Sequence, residues 1–290
     1  MKPQFLAQTF SSPAAGLKDA VVTLNNGARM PWLGLGVWQI PSDDETERVV
    51  ATALSAGYRS IDTAALYRNE RGVGNAIRAS GVPREQLFVT TKVWNDDMRA
   101  DRVEQAFDDS LRKLGLDYVD LYLLHWPIAG KIVRSWQALE RLQRGGQVKS
   151  IGVSNFMIPH LEELFASARV SPAVNQIEYH PYLQSRDVVA FCRSKGIQMQ
   201  AWSPLMQGGR VLTDPVVVRI AETHRKTPAQ VVLRWDMQGG VITIPKSVHA
   251  SRIRENADVF NFELSDAEMA AITALERAER TGADPFNFNF

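Results

Sequence analysis

Eight short runs rich in β-branched and aromatic residues recur along the chain, with helical patterns between them, and this alternation narrows the possible folds more than any other feature. The runs are WLGLGVW (32–38), YRSID (58–62), LFVTTKVW (87–94), YVDLYLLHW (118–126), VKSIGVS (148–154), AVNQIEY (173–179), IQMQAWS (197–203) and VITIPKS (241–247). Several are almost continuously apolar, as strands covered on both faces are. Ser42 and Glu45 read as a capping box that opens the first helix. Val103, Phe107, Leu111 and Leu114 form an apolar stripe at helical spacing, and Leu161, Leu164, Phe165 and Ala168 form another. Asp214-Pro215 is a cap followed by proline at the first helical position. Thr227 with Gln230 and Ser265 with Glu268 predict two further capped helices, the second near the C-terminus.

The predicted fold is a TIM (β/α)8 barrel, a parallel sheet closed on itself with helices outside. VVTLNNGARMP ahead of the first run predicts an N-terminal β-hairpin, since both residues of an Asn-Gly turn tolerate positive φ. An open doubly wound sheet should carry a GxGxxG phosphate loop after its first strand. GLGVWQI lacks the third glycine and does not lead into a helix, so its glycines read as strand-end geometry. The single barrel domain is expected over residues 19–290, with residues 1–18 a flexible extension. Gln4, Gln8, Thr9, Ser11 and Ser12 break any apolar core of a signal peptide.

Composition removes some functions. A net charge of +1 gives no footprint for nucleic acid or an anionic membrane. No apolar run approaches the length of a membrane span. The single cysteine, Cys192, makes no internal disulfide, and a cytoplasmic location is expected. The histidines and Cys192 show no ligand spacing such as HExxH or CxxC, so no metal is expected.

Four polar residues stand at or just past predicted strand ends: Asp62, Tyr67, Lys92 and His125. Taken singly each has an ordinary explanation: a cap, a surface aromatic, a solvated strand end, a core histidine. Together they come from consecutive strands and converge on the C-terminal face of the barrel, where such folds carry their chemistry. A cation beside a phenol favours the phenolate, so Tyr67 is expected to be a proton donor with a lowered pKa. Lys92 is the candidate cation, and Asp62 would hold it in an ion pair. His125 would orient a substrate carbonyl oxygen, which Tyr67 protonates as hydride reaches the carbon.

GYRSIDTAALYRNE, TKVW, LYLLHWP, GVSNF, NQIEYHP and IPKSV stand in the order and at about the spacing of the aldo-keto reductases, and the chain resembles that family over nearly its whole length. Among its members the chain looks most similar to the bacterial 2,5-diketogluconate reductase-like proteins. The resemblance implies that Asp62, Tyr67, Lys92 and His125 form a catalytic tetrad and that NADPH lies extended across the barrel mouth. It assigns Val37 and Trp38 to the cofactor site. Ser154, Asn155 and Gln176 would hold the carboxamide, Trp202 would stack on the nicotinamide, and Ser203 and Leu205 would line the pyrophosphate. Many relatives have tyrosine or phenylalanine where Trp202 stands. Lys246, Ser247, Arg252, Glu255 and Asn256 would hold the adenosine end. Lys246 and Arg252 suit a 2′-phosphate, one as a point charge and the other as a planar fork.

Trp38, Trp94 and Trp126, with His125, would wall the substrate pocket. The segments after Trp126 and Trp202 and the tail TGADPFNFNF are short, which predicts an open mouth accepting small aldehydes, dicarbonyls and keto-sugars such as 2,5-diketogluconate. Phe286, Phe288 and Phe290 either fold over this mouth or hang free. A monomer is expected, with a small carbonyl compound as the partner molecule. Two other functions compete: a regulatory barrel that binds NADPH with little turnover, and a Schiff-base lyase using Lys92. The intact set of four opposes the first. An ion pair that keeps Lys92 protonated opposes the second.

Overall fold

The structure, a computed structural model, describes residues 16–288 and Phe290. The extension expected over residues 1–18 therefore lies almost wholly outside the described residues. Strands β1 (Val21–Thr23) and β2 (Arg29–Pro31) form the expected antiparallel hairpin, with Val22 opposite Met30. Its turn uses Gly27 at a φ of 86°. Asn25 Nδ2 donates to the Pro172 carbonyl, and Asn26 Nδ2 to the Lys149 carbonyl and Ser150 Oγ. Those partners lie at the beginnings of later strands, so the hairpin covers the N-terminal end of the barrel.

The barrel strands are β3 (Leu35–Gly36), β4 (Ser60–Asp62), β5 (Phe88–Val93), β6 (Val119–Leu124), β7 (Val148–Ser154), β8 (Val174–Glu178), β9 (Gln198–Trp202) and β10 (Val241–Thr243). They pair in sequence order and in parallel throughout. The sheet closes where Leu33 bridges Thr243. Across this seam the Gly34 N–H donates to the Thr243 carbonyl at 3.0 Å, and the Thr243 N–H to the Trp32 carbonyl at 3.0 Å. A Cβ on Gly36 would fall 2.9 Å from the Ile244 carbonyl oxygen. The glycines of GLGVW thus allow the first and last strands to meet.

Every residue of β5 and β6 is buried. One side of each strand faces the packed barrel interior and the other the helices, so β6 reads as an almost continuous apolar run broken by Asp120, while β5 buries Thr90, Thr91 and Lys92 as well. The helices are α1 (Asp43–Ser55), α2 (Glu70–Ala79), α3 (Asn95–Arg99), α4 (Val103–Leu114), α5 (Ile132–Arg144), α6 (Ile158–Phe165), α7 (Arg186–Ser194), α8 (Pro215–His224), α9 (Pro228–Gln238), α10 (Ala250–Ala257) and α11 (Asp266–Thr273). The stripe Val103, Phe107, Leu111 and Leu114 is buried on α4. Thr227 with Gln230 and Ser265 with Glu268 form complete capping boxes, and Asp214 caps α8. At α1 half of the expected box is present. Ser42 Oγ accepts from the Glu45 N–H at 3.2 Å, while the Glu45 carboxylate faces Arg48 at 3.5 Å. No helix among the described residues is long and apolar enough to cross a membrane.

Candidate active site

Asp62 ends β4, Lys92 is the penultimate residue of β5, and His125 directly follows β6. Tyr67 closes a short 3-10 turn (Ala65–Tyr67) that begins just beyond β4. This turn is braced from outside the set of four. Buried Asn69 donates from Nδ2 to the Val37 carbonyl at 2.9 Å and accepts from Thr63 Oγ1 at 2.9 Å. Asn69 and Thr63 both lie within IDTAALYRNE but are not among the expected site residues. An asparagine between a tyrosine and a helix start was the available signal.

Lys92 is fully buried, and its ammonium has three hydrogens. Nζ donates to Asp62 Oδ1 at 2.5 Å, to the Thr63 carbonyl at 2.9 Å and to Tyr67 Oη at 3.2 Å. All three are therefore used. Because Tyr67 Oη accepts from Lys92, the phenol's own proton is left to point elsewhere. The His125 imidazole meets Tyr67 edge-on at 5.7 Å and Trp94 edge-on at 5.2 Å, between ring centroids. Trp38, 46% exposed, leans on Tyr67 at 4.7 Å.

The charge balance corrects one expectation. Tyr67 sits above, not below, the ordinary tyrosine value: burial raises it, Lys92 pulls it down, and Asp62 pushes it up again. A cation beside the phenol is present as expected, but the burial of Tyr67, with Asp62 adding to it, outweighs the pull of Lys92. Burial alone would lower Lys92, but Asp62 and Tyr67 more than reverse this and hold it above the usual lysine range. His125 is held well below the ordinary imidazole value by burial and by the Lys92 charge, so it is neutral at pH 7. The site therefore rests with a protonated phenol, a charged ammonium and a neutral imidazole.

A second group of residues joins the first directly. Gln176 Nε2 donates to Asp62 Oδ2 at 2.7 Å and to Gln200 Oε1 at 2.8 Å. Ser154 Oγ and the Asn155 N–H both donate to the Gln176 carbonyl. Asn155 takes a left-handed φ of 63°; its Nδ2 donates to the His125 carbonyl at 3.0 Å. Its Oδ1 accepts from Trp202 Nε1 at 2.9 Å. Ser154, Asn155, Gln176 and Trp202 thus form one polar patch beside the four. Gln200, which props Gln176, was not legible in IQMQAWS.

The remaining residues lie along the rim. Val37 is buried at the end of the first barrel strand, its carbonyl holding Asn69. Ser203, at a φ of 54°, and Leu205 follow β9. Lys246 and Arg252 are exposed, and Ser247 and Asn256 are buried around the start and end of α10. Glu255 accepts from Thr227 Oγ1 at 2.8 Å, which ties α10 to the cap of α9. Among the described residues neither Lys246 nor Arg252 has a carboxylate partner, so both charges are free for an anion. A buried polar patch at one end and free cations at the other suit an extended dinucleotide whose charge lies on its adenosine side. No cluster of His, Cys, Asp and Glu that could hold a metal ion occurs among the described residues.

The mouth is less open than short loops implied. Phe288 packs on Trp126 at 4.8 Å. Phe290 stacks on Trp94 at 5.7 Å, with planes 11° apart, and meets Trp126 edge-on at 5.1 Å. The Phe290 main-chain oxygen accepts from Asn95 Nδ2 at 3.2 Å and Arg99 Nη2 at 2.7 Å. Phe286 turns aside to His160. Of the two arrangements open to the tail, two of its phenylalanines adopt the folded one.

The sequence profile of the aldo/keto reductase family matches residues 32–277. The chain belongs to the aldo/keto reductase family. This reductase is 52% identical over 269 residues to a glyoxal reductase of Bacillus subtilis (strain 168), covering 93% of the chain and 97% of that protein. It is 50% identical over 268 residues to the methylglyoxal reductase DkgA of Yersinia pestis, covering 91% and 96% respectively. A crystal structure of a Gox0644 mutant in complex with NADPH superposes with a TM-score of 0.88 at 46% identity, over 93% of this chain and 98% of that one. The barrel expected from the eight runs is the fold of this chain, and the Gox0644 structure shares it.

Proposed function

We propose that this aldo-keto reductase reduces small aldehydes, dicarbonyls and keto-sugars to alcohols with hydride from NADPH, and that Tyr67 is the general acid. The observation that carries the reading is the saturated Lys92 ammonium, which fixes Asp62 on one side and Tyr67 Oη on the other. A carbonyl oxygen placed between Tyr67 and His125 meets the phenol proton and the edge of a neutral imidazole. As negative charge grows on that oxygen, Tyr67 releases its proton to it. Lys92 stabilises the phenolate left behind, and Gln176 and Lys92 keep Asp62 in place. Bound NADPH supplies the hydride. Ser154, Asn155 and Gln176 would hold its carboxamide, Trp202 its ring, and Lys246 and Arg252 its 2′-phosphate.

The glyoxal and methylglyoxal reductases among the relatives support small dicarbonyls as substrates. The NADPH complex of a structural neighbour supports the cofactor. Nucleophilic use of Lys92 is opposed by its ion pair, which keeps the amine protonated. The test is NADPH oxidation, followed by absorbance, with methylglyoxal, an aromatic aldehyde and 2,5-diketogluconate, repeated with NADH. Turnover favouring NADPH is expected. Tight NADPH binding without turnover of any carbonyl would move the protein to the regulatory class.

A further inference from the structure

Glu178, the last residue of β8, stands two residues beyond Gln176 and is buried. Its carboxylate is filled by donors from far along the chain. Oε1 accepts from the Thr281 N–H at 2.6 Å and from Thr281 Oγ1 at 2.5 Å. Oε2 accepts from the Gly282 N–H at 3.2 Å, and His180 Nε2 lies 3.2 Å from Oε1. These bonds hold the carboxyl below the usual glutamate range despite its burial. Hydrogen bonds to a charged acceptor are worth roughly twice those between neutral groups. Elsewhere the tail is held by a turn in which Asp284 accepts from the Phe286 N–H and Asn287 Nδ2, by the aromatic contacts of Phe288 and Phe290, and at its end by Asn95 and Arg99, which donate to the Phe290 main-chain oxygen.

The clasp lies between both halves of the site. A Cβ on Gly282 would fall 2.3 Å from Cη2 of Trp202, so the backbone there lies close against the indole. Further on, the same strap places Phe288 on Trp126 and Phe290 on Trp94, whose ring touches His125. We propose that Glu178 is a positioning residue: by clasping Thr281 and Gly282 it sets where Phe288 and Phe290 fall, and so sets the size of carbonyl compound that the mouth grips. The inference deepens the reductase reading and rests on it.

The test uses the full chain with Glu178→Gln and Thr281→Val. Each is assayed with NADPH on methylglyoxal, too small to need the phenylalanine wall, and on benzaldehyde, which stacks on it. An aromatic pair is worth about 0.5–1.5 kcal/mol, so KM for benzaldehyde should rise by about 2- to 12-fold in Glu178→Gln, and less in Thr281→Val. Both constants for methylglyoxal should stay within about twofold, a change of under half a kcal/mol. Amide hydrogen exchange at residues 282–288 should quicken while β4 to β6 keep their protection. In the double variant Phe288→Ala with Phe290→Ala, adding Glu178→Gln should leave benzaldehyde KM unchanged, because the contacts that the clasp sets are already gone. Equal KM increases for both substrates, a further rise on adding Glu178→Gln to the double variant, or unaltered exchange in the tail would each overturn the proposal. If Glu178→Gln fails to fold, Thr281→Val carries the same comparisons. If the wild type reduces neither carbonyl, the reductase reading fails, and the exchange data alone decide the clasp.

Discussion

At the scale of single residues, the site works by exhausting one ammonium. Lys92 has no spare hydrogen, so its three acceptors have fixed places, and on the proposed reading Tyr67 keeps its own proton for a substrate. Tyr67→Phe should leave NADPH affinity nearly unchanged and cut turnover by at least about 100-fold, the scale of a lost general acid. Single-turnover rates and cofactor titration check the two halves separately. Because Tyr67 lies above the ordinary value of 10.0, reduction should decline only as alkaline pH begins to strip the phenol. His125 adds no inflection near 6.5, since it stays neutral there. It does leave a mark on stability. As pH falls below 6.5 the unfolded chain gains a proton on this imidazole that the folded chain refuses, so stability drops with pH through that window. Melting temperatures from pH 7 to 5 should show a smaller decline in His125→Gln than in the wild type.

At the scale of elements, the strands bring Asp62, Lys92 and His125 together because they end where they do. β4, β5 and β6 run in parallel register, with Asp62 beside Thr90 and Lys92 beside Leu123, so residues far apart in sequence come to the same face. That arrangement depends on the seam between β3 and β10. Replacing a strand glycine with alanine ordinarily gains about 0.5–1 kcal/mol by restricting the unfolded chain. At Gly36 the new methyl would meet the Ile244 carbonyl at 2.9 Å, and main chain yields poorly. Overpacking costs about 1–3 kcal/mol and should win, so Gly36→Ala should lower the denaturant midpoint. A midpoint unchanged or raised would show that the seam relaxes freely. The strands and most caps were legible in the sequence because they obey local rules: period, branching, and a hydroxyl or carboxylate before a helix. The missing half of the Ser42 box shows the limit of those rules. Glu45 has a nearby arginine, and a local pattern does not register that competition.

At the scale of the whole molecule, the proposed cofactor site runs from Asn155 beside β7 to α10 beyond β10. The free charges stand at the α10 end, in a protein with almost no net charge to steer an anion. Arg252→Ala should therefore weaken NADPH by about tenfold or more, the loss of one charge-assisted bond, and leave NADH almost untouched. Calorimetry with both cofactors at two salt concentrations would show it, since the NADPH advantage should also shrink with salt. Long-range partnerships were the part hidden from sequence. Asp62, Tyr67, Lys92 and His125 declare themselves by position. Glu178 gives no sign that its partners are Thr281 and Gly282, and Asn95 none that it reaches Phe290. The rise in Tyr67 was hidden for a related reason: it follows first from burial and then from the nearby charges of Lys92 and Asp62, and the sequence gives neither the depth nor the distances.

The two ends of the described chain lie on opposite sides of the barrel. Leu17 and the hairpin lie at its sealed base, where a Cβ on Gly57 would meet Leu17. The strap that begins at Thr281 crosses the working mouth. For anyone wishing to tether this enzyme to a bead or to a second protein, the two ends are not equivalent handles. A graft upstream of Val21 hangs from the base and leaves traffic through the mouth undisturbed. One attached downstream of Thr281 pulls on the aromatic wall of Phe288 and Phe290 that lies over Trp94 and Trp126.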